Sequence, residues 1–135
     1  MLTIEKVIFL KSVDIFSSIP EDALVEVASA LVHMEVSAGE SIFKQGDPGS
    51  SMYIISSGKV RLHIGNQTEV ELGSKQVFGL LAALDPQPRV VSATSTEESV
   101  LYRLDGDTFY DLISENLEIA RGVIHVLCDR LRQKS

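Results

Sequence analysis

A single cysteine, Cys128, stands in the 135 residues of the chain. It excludes an intrachain disulfide and any zinc site built from several thiolates, and it fits a reducing compartment. A cytoplasmic setting is expected, either free or as the cytoplasmic domain of a larger membrane-associated protein. Basic charge is also short, since twelve Lys and Arg against nineteen Asp and Glu leave a net charge of -7. That balance opposes attraction to DNA, RNA or anionic lipid. Long apolar runs are missing too. The first, Val7 to Leu10, follows Glu5 and Lys6 and falls far short of a signal-peptide core or a membrane span. No internal repeat, low-complexity stretch or flexible linker breaks the chain, and its 44% hydrophobic content suffices for one sizeable core. A single domain is expected.

Patterns for catalysis are equally sparse. His33, His63 and His125 lie far apart and in no HxH or HxxxH spacing, so surface or edge positions are expected for them. A metal-dependent enzyme of the cupin type would share a β-barrel of this size, but its paired histidines and following glutamate are absent. No nucleophile sits in a strand-turn-helix elbow, and the serine pairs at 17–18, 50–51 and 56–57 flank turns or a helix cap. A non-enzymatic role is expected.

What is present has a clear order. Ser18-Ile-Pro-Glu21 has the form of a capping box with proline in the first turn, and Leu24, Val27, Ala28 and Leu31 follow at helical spacing, which predicts a helix over about residues 19–31. Ile4, Val7, Ile8 and Leu10 predict a shorter helix before it that packs back on the domain. From Val32 to Leu104 the texture changes to short runs, SIFKQ, SMYIIS, KVRLHIG and VLYRL, separated by turn signals at AGE, GDPGS, SSG, GNQ and LGS. Val60, Leu62 and Ile64 alternate with Arg61 and His63, as a half-buried strand requires. Gly39, Gly46, Gly49 and Gly58 fall at strand junctions where a positive φ is expected, and Asp47 reads as a turn acceptor. After Leu104 the helical period returns. Asp105 or Asp107 is placed to cap a segment holding Phe109, Leu112 and Ile113, and a longer helix follows. Its apolar arc is wide. Ala120, Ile124, Leu127 and Leu131 are expected to pack on the domain, leaving Ile119, Val123 and Val126 as an exposed flank for self-association or for a neighbouring domain.

The segments AGESIFKQGDPGSSMYIISSGKVRL, residues 38–62, and FGLLAALDPQPRVVSA, residues 78–93, together resemble the cyclic-nucleotide-binding domain family of cAMP and cGMP receptors. The resemblance covers nearly the whole chain. It implies a mainly β fold with flanking helices, an eight-stranded antiparallel β-roll of the double-stranded β-helix or jelly-roll type. The N-terminal helices would occupy about residues 3–31, the β-roll 32–104 and the C-terminal helices 106–133 of one domain, 1–135. It further implies a regulatory module with cAMP or cGMP as the candidate ligand, often attached to a channel, transporter, kinase or transcription factor. Relatives that regulate transcription carry a helix-turn-helix after the last helix, and this chain stops at Ser135, so no DNA contact is expected by that route.

In the family, the stretch matching residues 78–92 is the phosphate-binding cassette, written FGE, then a short helix, then Arg, small residues and Ser or Thr. Phe78, Gly79, Arg89 and Ser92 occupy the matching positions here, with Leu81 and Val90 offering backbone N–H groups. A helix start and an arginine suit a cyclic phosphate. Pro86 and Pro88 stiffen the loop that presents Arg89. One position departs sharply, because Leu80 stands where the family has the Glu that accepts the ribose 2′-hydroxyl. Losing a charged acceptor costs about 1.5–3 kcal/mol, or roughly ten- to a hundredfold in affinity. Val90 and Val91 replace the small residues after the arginine and are expected to narrow the pocket. Two readings of Arg89 stand at this point: a phosphate ligand in a cassette whose sugar end has become apolar, or an exposed salt bridge to Asp85 or Glu97. The first gives a regulatory domain with weak or lost cAMP and cGMP binding. Its alternative is an intact receptor for cAMP, cGMP or another small anion.

Overall fold

Between Val32 and Asp105 the short apolar runs pair into antiparallel ladders. In the computed structural model, which describes residues 1–134, the strands are β1 (Val32–Val36), β2 (Ser41–Phe43), β3 (Pro48–Gly49), β4 (Ser51–Ser57), β5 (Val60–Ile64), β6 (Gln67–Leu72), β7 (Val77–Phe78), β8 (Gln87–Pro88), β9 (Ser92–Ser95) and β10 (Ser99–Asp105). Eight of them form two four-stranded sheets, β1-β10-β4-β7 and β2-β9-β5-β6, as an eight-stranded roll requires, and β3-β8 is a separate two-stranded pair. β10 is central to its sheet. Its Leu101 faces Met34 on one side and Ile55 on the other. Between the sheets lies an apolar cluster of Val36, Phe43, Tyr53, Ile55, Val60, Phe78, Ala93 and Leu101, rimmed by the partly buried Met34, Ile42, Leu62 and Leu72. The alternation along β5 fades towards its end, with Val60 buried and Ile64 exposed. The cause is register: β9 backs β5 only as far as His63, so Ile64 has no strand beside it on that edge.

The helices are α1 (Thr3–Lys11), α2 (Glu21–Ala30), the five-residue α3 (Leu80–Leu84) inside the strand region, α4 (Gly106–Glu115) and α5 (Leu117–Lys134), with a 3-10 turn at Asp14–Phe16. The strand region from Leu31 to Asp107 is one compact unit; Met1–Ala30 with the chain from Thr108 onward is the other. In the helical unit α1 packs on α2, and α5 packs on the 3-10 turn. α2 begins at Glu21, so Pro20 precedes it and lends its carbonyl to the Leu24 N–H.

Two helix faces differ from expectation. α1 turns Val7 and Leu10 inward but leaves Ile4 and Ile8 exposed. α5 is rotated relative to the predicted wheel: Ile119, Val123 and Val126 are buried, whereas Ile124 and Leu131 are exposed. Gly122 supplies the reason. A Cβ there would lie 3.1 Å from the Ile15 carbonyl oxygen and 3.2 Å from the Ile19 side chain, so the backbone of α5 comes closest to the 3-10 turn at this residue. The side chains around Gly122 are therefore the inward ones. A wide apolar arc does not choose its own inward face, and the glycine does.

Candidate functional site

The segment from Phe78 to Ser92 is stitched into the strand unit at both ends. Gly79 adopts a left-handed φ of 78° and heads α3. That conformation favours glycine, and the surroundings demand it, because a Cβ would come within 2.8 Å of the Ser51 carbonyl oxygen and 2.9 Å of Arg89 Nη1. Leu80 follows at 4% exposure and Leu81 at 68%. At the far end the Arg89 N–H donates to the Asp47 carbonyl at 2.8 Å, and the Arg89 carbonyl accepts from the Gly46 N–H at 2.8 Å. Pro48 and Gly49 pair with Pro88 and Gln87. Asp47 closes its own turn, its Oδ2 accepting from the Lys44 N–H at 2.9 Å.

Arg89 is 8% exposed. Its Nη2 donates to the Ser51 carbonyl at 2.9 Å, and its guanidinium carbon lies 4.1 Å from the centre of the Phe43 ring and 5.9 Å from that of Tyr53. Phe43, Tyr53 and Phe78 form one aromatic group, with Tyr53 and Phe78 stacked at 5.1 Å. The guanidinium therefore rests on the wall of the apolar cluster. Among the described residues its Nε is a buried nitrogen with no hydrogen-bond partner. Desolvation pushes the Arg89 pKa down, and the neighbouring Tyr53 and Asp47 partly offset this. An arginine starts so high that it stays charged.

An exposed pair with Asp85 or Glu97 is thus overturned as the account of Arg89. The Phe43 ring beneath its guanidinium and the carbonyl of Ser51 hold it inside against the cost of desolvation. The narrowing expected from Val90 is also overturned: its side chain is 77% exposed and projects away from the interior, while Val91 is half-buried. Gly49 differs as well. It is not left-handed like Gly39, Gly46 and Gly58. Its missing side chain leaves room for arginine, since a Cβ would lie 2.7 Å from Arg89 Nε.

Of the residues singled out from sequence, Phe78, Leu80 and Arg89 are buried, the half-buried Gly79 lies against the Arg89 guanidinium, Ser92 lies on β9, and Leu81 and Val90 project from the surface. The Ser92 hydroxyl accepts from the Gln45 N–H at 2.9 Å, which leaves its own proton to donate. Ser51, Phe43 and Tyr53 were not foreseen as part of this arrangement. Ser51 also donates its hydroxyl to Asp105 at 2.7 Å, where Arg103 Nε donates at 2.9 Å. The feature that could have pointed to Ser51 is its place two residues after Gly49, the glycine that makes room for Arg89.

The histidines form no common site. His33 and His125 are exposed beside Glu35 and Asp129, and the half-buried His63 bonds Gly65 O and Thr94 Oγ1. Among the described residues no group of three or more His, Cys, Asp or Glu could hold a metal ion, and the cupin-type reading has no support.

Comparison with known proteins agrees with this architecture. The family model for the cyclic nucleotide-binding domain matches residues 33–116. The CRP-like cAMP-activated global transcriptional regulator of Mycobacterium tuberculosis is 32% identical over 126 residues, covering 88% of this chain and 55% of that protein. The cAMP-dependent protein kinase regulatory subunit of Emericella nidulans is 33% identical over 115 residues, 84% of this chain and 28% of the relative. The chain thus spans about half of the first relative and less of the second. Among solved structures, the N-terminal domain of a transcriptional regulator from Streptomyces coelicolor superposes with a TM-score of 0.83 over 93% of this chain and 91% of that one, at 24% identity. With its two-sheet roll, its short helix after Gly79 and a family match over more than half its length, the chain belongs to the cyclic nucleotide-binding domain family.

Proposed function

We propose that residues 1–135 act as one non-catalytic regulatory domain whose cassette keeps its anion end and has lost its ribose end, so that cAMP and cGMP bind weakly or not at all. The support is that the cassette holds two buried residues, Arg89 with its unpartnered Nε and Leu80 at the head of α3. A buried cationic N–H without an acceptor suits an oxyanion. A leucine at the sugar position accepts no hydroxyl and would strand it. The ligand set is Phe78, Gly79, Leu80, Leu81, Arg89, Val90 and Ser92, with Ser51 and Phe43 positioning the arginine. The net charge of -7 argues against nucleic acid as a partner of this stretch. Its relatives supply the regulatory setting: the first is a cAMP-activated transcriptional regulator and the second a regulatory subunit of a kinase.

A gain-of-binding variant tests the reading. Leu80→Glu restores an acceptor in the first turn of α3 and should strengthen cAMP binding by roughly ten- to a hundredfold, measured by calorimetric titration. Circular dichroism would check that the buried carboxylate has not unfolded the domain. A folded variant with no gain in affinity would show that position 80 is not what weakens the site.

A further inference from the structure

We propose that Asp105 is a positioning residue of the cassette: through Ser51 it fixes the carbonyl that holds the Arg89 guanidinium. The inference rests on the reading of Arg89 as the cation of the cassette, and it adds the residues that keep that cation in place. Arg89 Nη2 donates to the Ser51 carbonyl at 2.9 Å, while the Ser51 hydroxyl donates to Asp105 Oδ1 at 2.7 Å. One serine carries both bonds. The same Oδ1 accepts from Arg103 Nε at 2.9 Å, so the carboxylate is itself held by a cation on its own strand.

The sheet explains why the link falls here. Asp105 lies opposite Ser51 and Arg103 opposite Tyr53, and strand alternation sets these four side chains on one face. Ser51 is the first residue of β4 and Asp105 the last of β10. The end of a ladder opens most easily. Beyond this pair the two chains are joined by the Gly106 N–H, which donates to the carbonyl of the exposed Ser50 at 2.8 Å. A charge-assisted bond across the last pair therefore restrains the carbonyl that Arg89 uses. Without it the end of β4 opens more often, and the guanidinium loses its anchor.

Hydrogen exchange of the Arg89 Nε–H tests this, followed by NMR of the whole ligand-free chain with isotopically labelled arginine; Arg89→Met assigns the signal by its loss. In the parent that nitrogen is buried and its proton should exchange slowly. Asp105→Ala and Ser51→Ala should each speed the exchange by about tenfold or more, and the double variant should add little, since both remove one and the same bond. Asp105→Asn keeps an acceptor of the same shape without the charge and should fall between. Ser51→Ala loses a single oxygen, so it decides the matter even where Asp105→Ala fails to fold. The backbone N–H of Leu101, a fully buried residue inside β10, reports opening of the whole sheet and should speed up by less. Unchanged Arg89 exchange in Ser51→Ala would overturn the inference, and so would a rise matched by Leu101, which would show only a less stable domain. Because no ligand takes part, either failure leaves weak or absent cAMP binding standing, and micromolar binding of cAMP would overturn that reading alone.

Discussion

Replacing Arg89 by alanine should destabilise the domain before any ligand is considered. The side chain is a buried member of the strand unit, and its truncation acts in three ways. The Ser51 carbonyl loses a charged donor at 2.9 Å, an interaction typically worth about 1.5–3 kcal/mol. The Phe43 ring loses the guanidinium 4.1 Å from its centre, worth about 0.5–2 kcal/mol. Against both stands the relief of burying a cation whose pKa desolvation already depresses. The net expectation is a loss of about 1–3 kcal/mol, or roughly 4–10 °C in Tm for a domain of this size. Urea denaturation of parent, Arg89→Ala and Arg89→Met would measure it. Methionine refills the space over Phe43 without bringing a charge, so it should cost less than alanine. Arg89→Ala within about 0.5 kcal/mol of the parent would refute the reasoning, because it would place the arginine in water.

The helical unit makes a second prediction. Leu117, Ile124 and Leu131 are exposed on α5 at intervals of seven residues, with the half-buried Ala120 and Leu127 between them, which is the spacing of a helix-pairing seam. Self-association through this face is expected, and Ile124→Glu with Leu131→Glu should reduce the mass seen by light scattering; a parent already monomeric at high concentration would defeat the homodimer. A third prediction concerns pH. The folded pKa of Arg89 lies below its unfolded value, so the fold holds that proton less tightly; the resulting cost is constant at every pH below the folded value and disappears only as pH rises through it, in strongly alkaline solution. The stability difference between the parent and Arg89→Met should therefore stay flat over about pH 5–9, and a slope there would mean that another titrating group is coupled to the site.

The strand region and the helices that flank it were legible because each rests on a local signal. Glycine punctuates the turns, alternation marks the strands, and the FG…R…S pattern carries the family. The environment of Arg89 was not legible in the same way. Its charge suggested water, and its burial depends on Phe43, Ser51 and Gly49, which are brought beside it by the pairing of β3 with β8 and by the bonds to Gly46 and Asp47. Those contacts join residues about forty positions apart and leave no periodic trace. The inward face of α5 failed for a related reason. Its apolar residues cover too wide an arc to decide, and Gly122 decides through a contact with Ile15, more than a hundred residues away in the chain. Gly49 shows the same limit at smaller scale: a glycine in a turn motif reads as a φ requirement, whereas here the space it vacates is what matters.

Calorimetric titration of the parent chain with cAMP tests the central claim most directly, since the account places Leu80, buried and without an acceptor, where a ribose hydroxyl would have to be met. The prediction is no saturable binding in the micromolar range. Saturable micromolar binding of cAMP would contradict it, and would mean that this cassette recognises a nucleotide without an acidic residue at position 80.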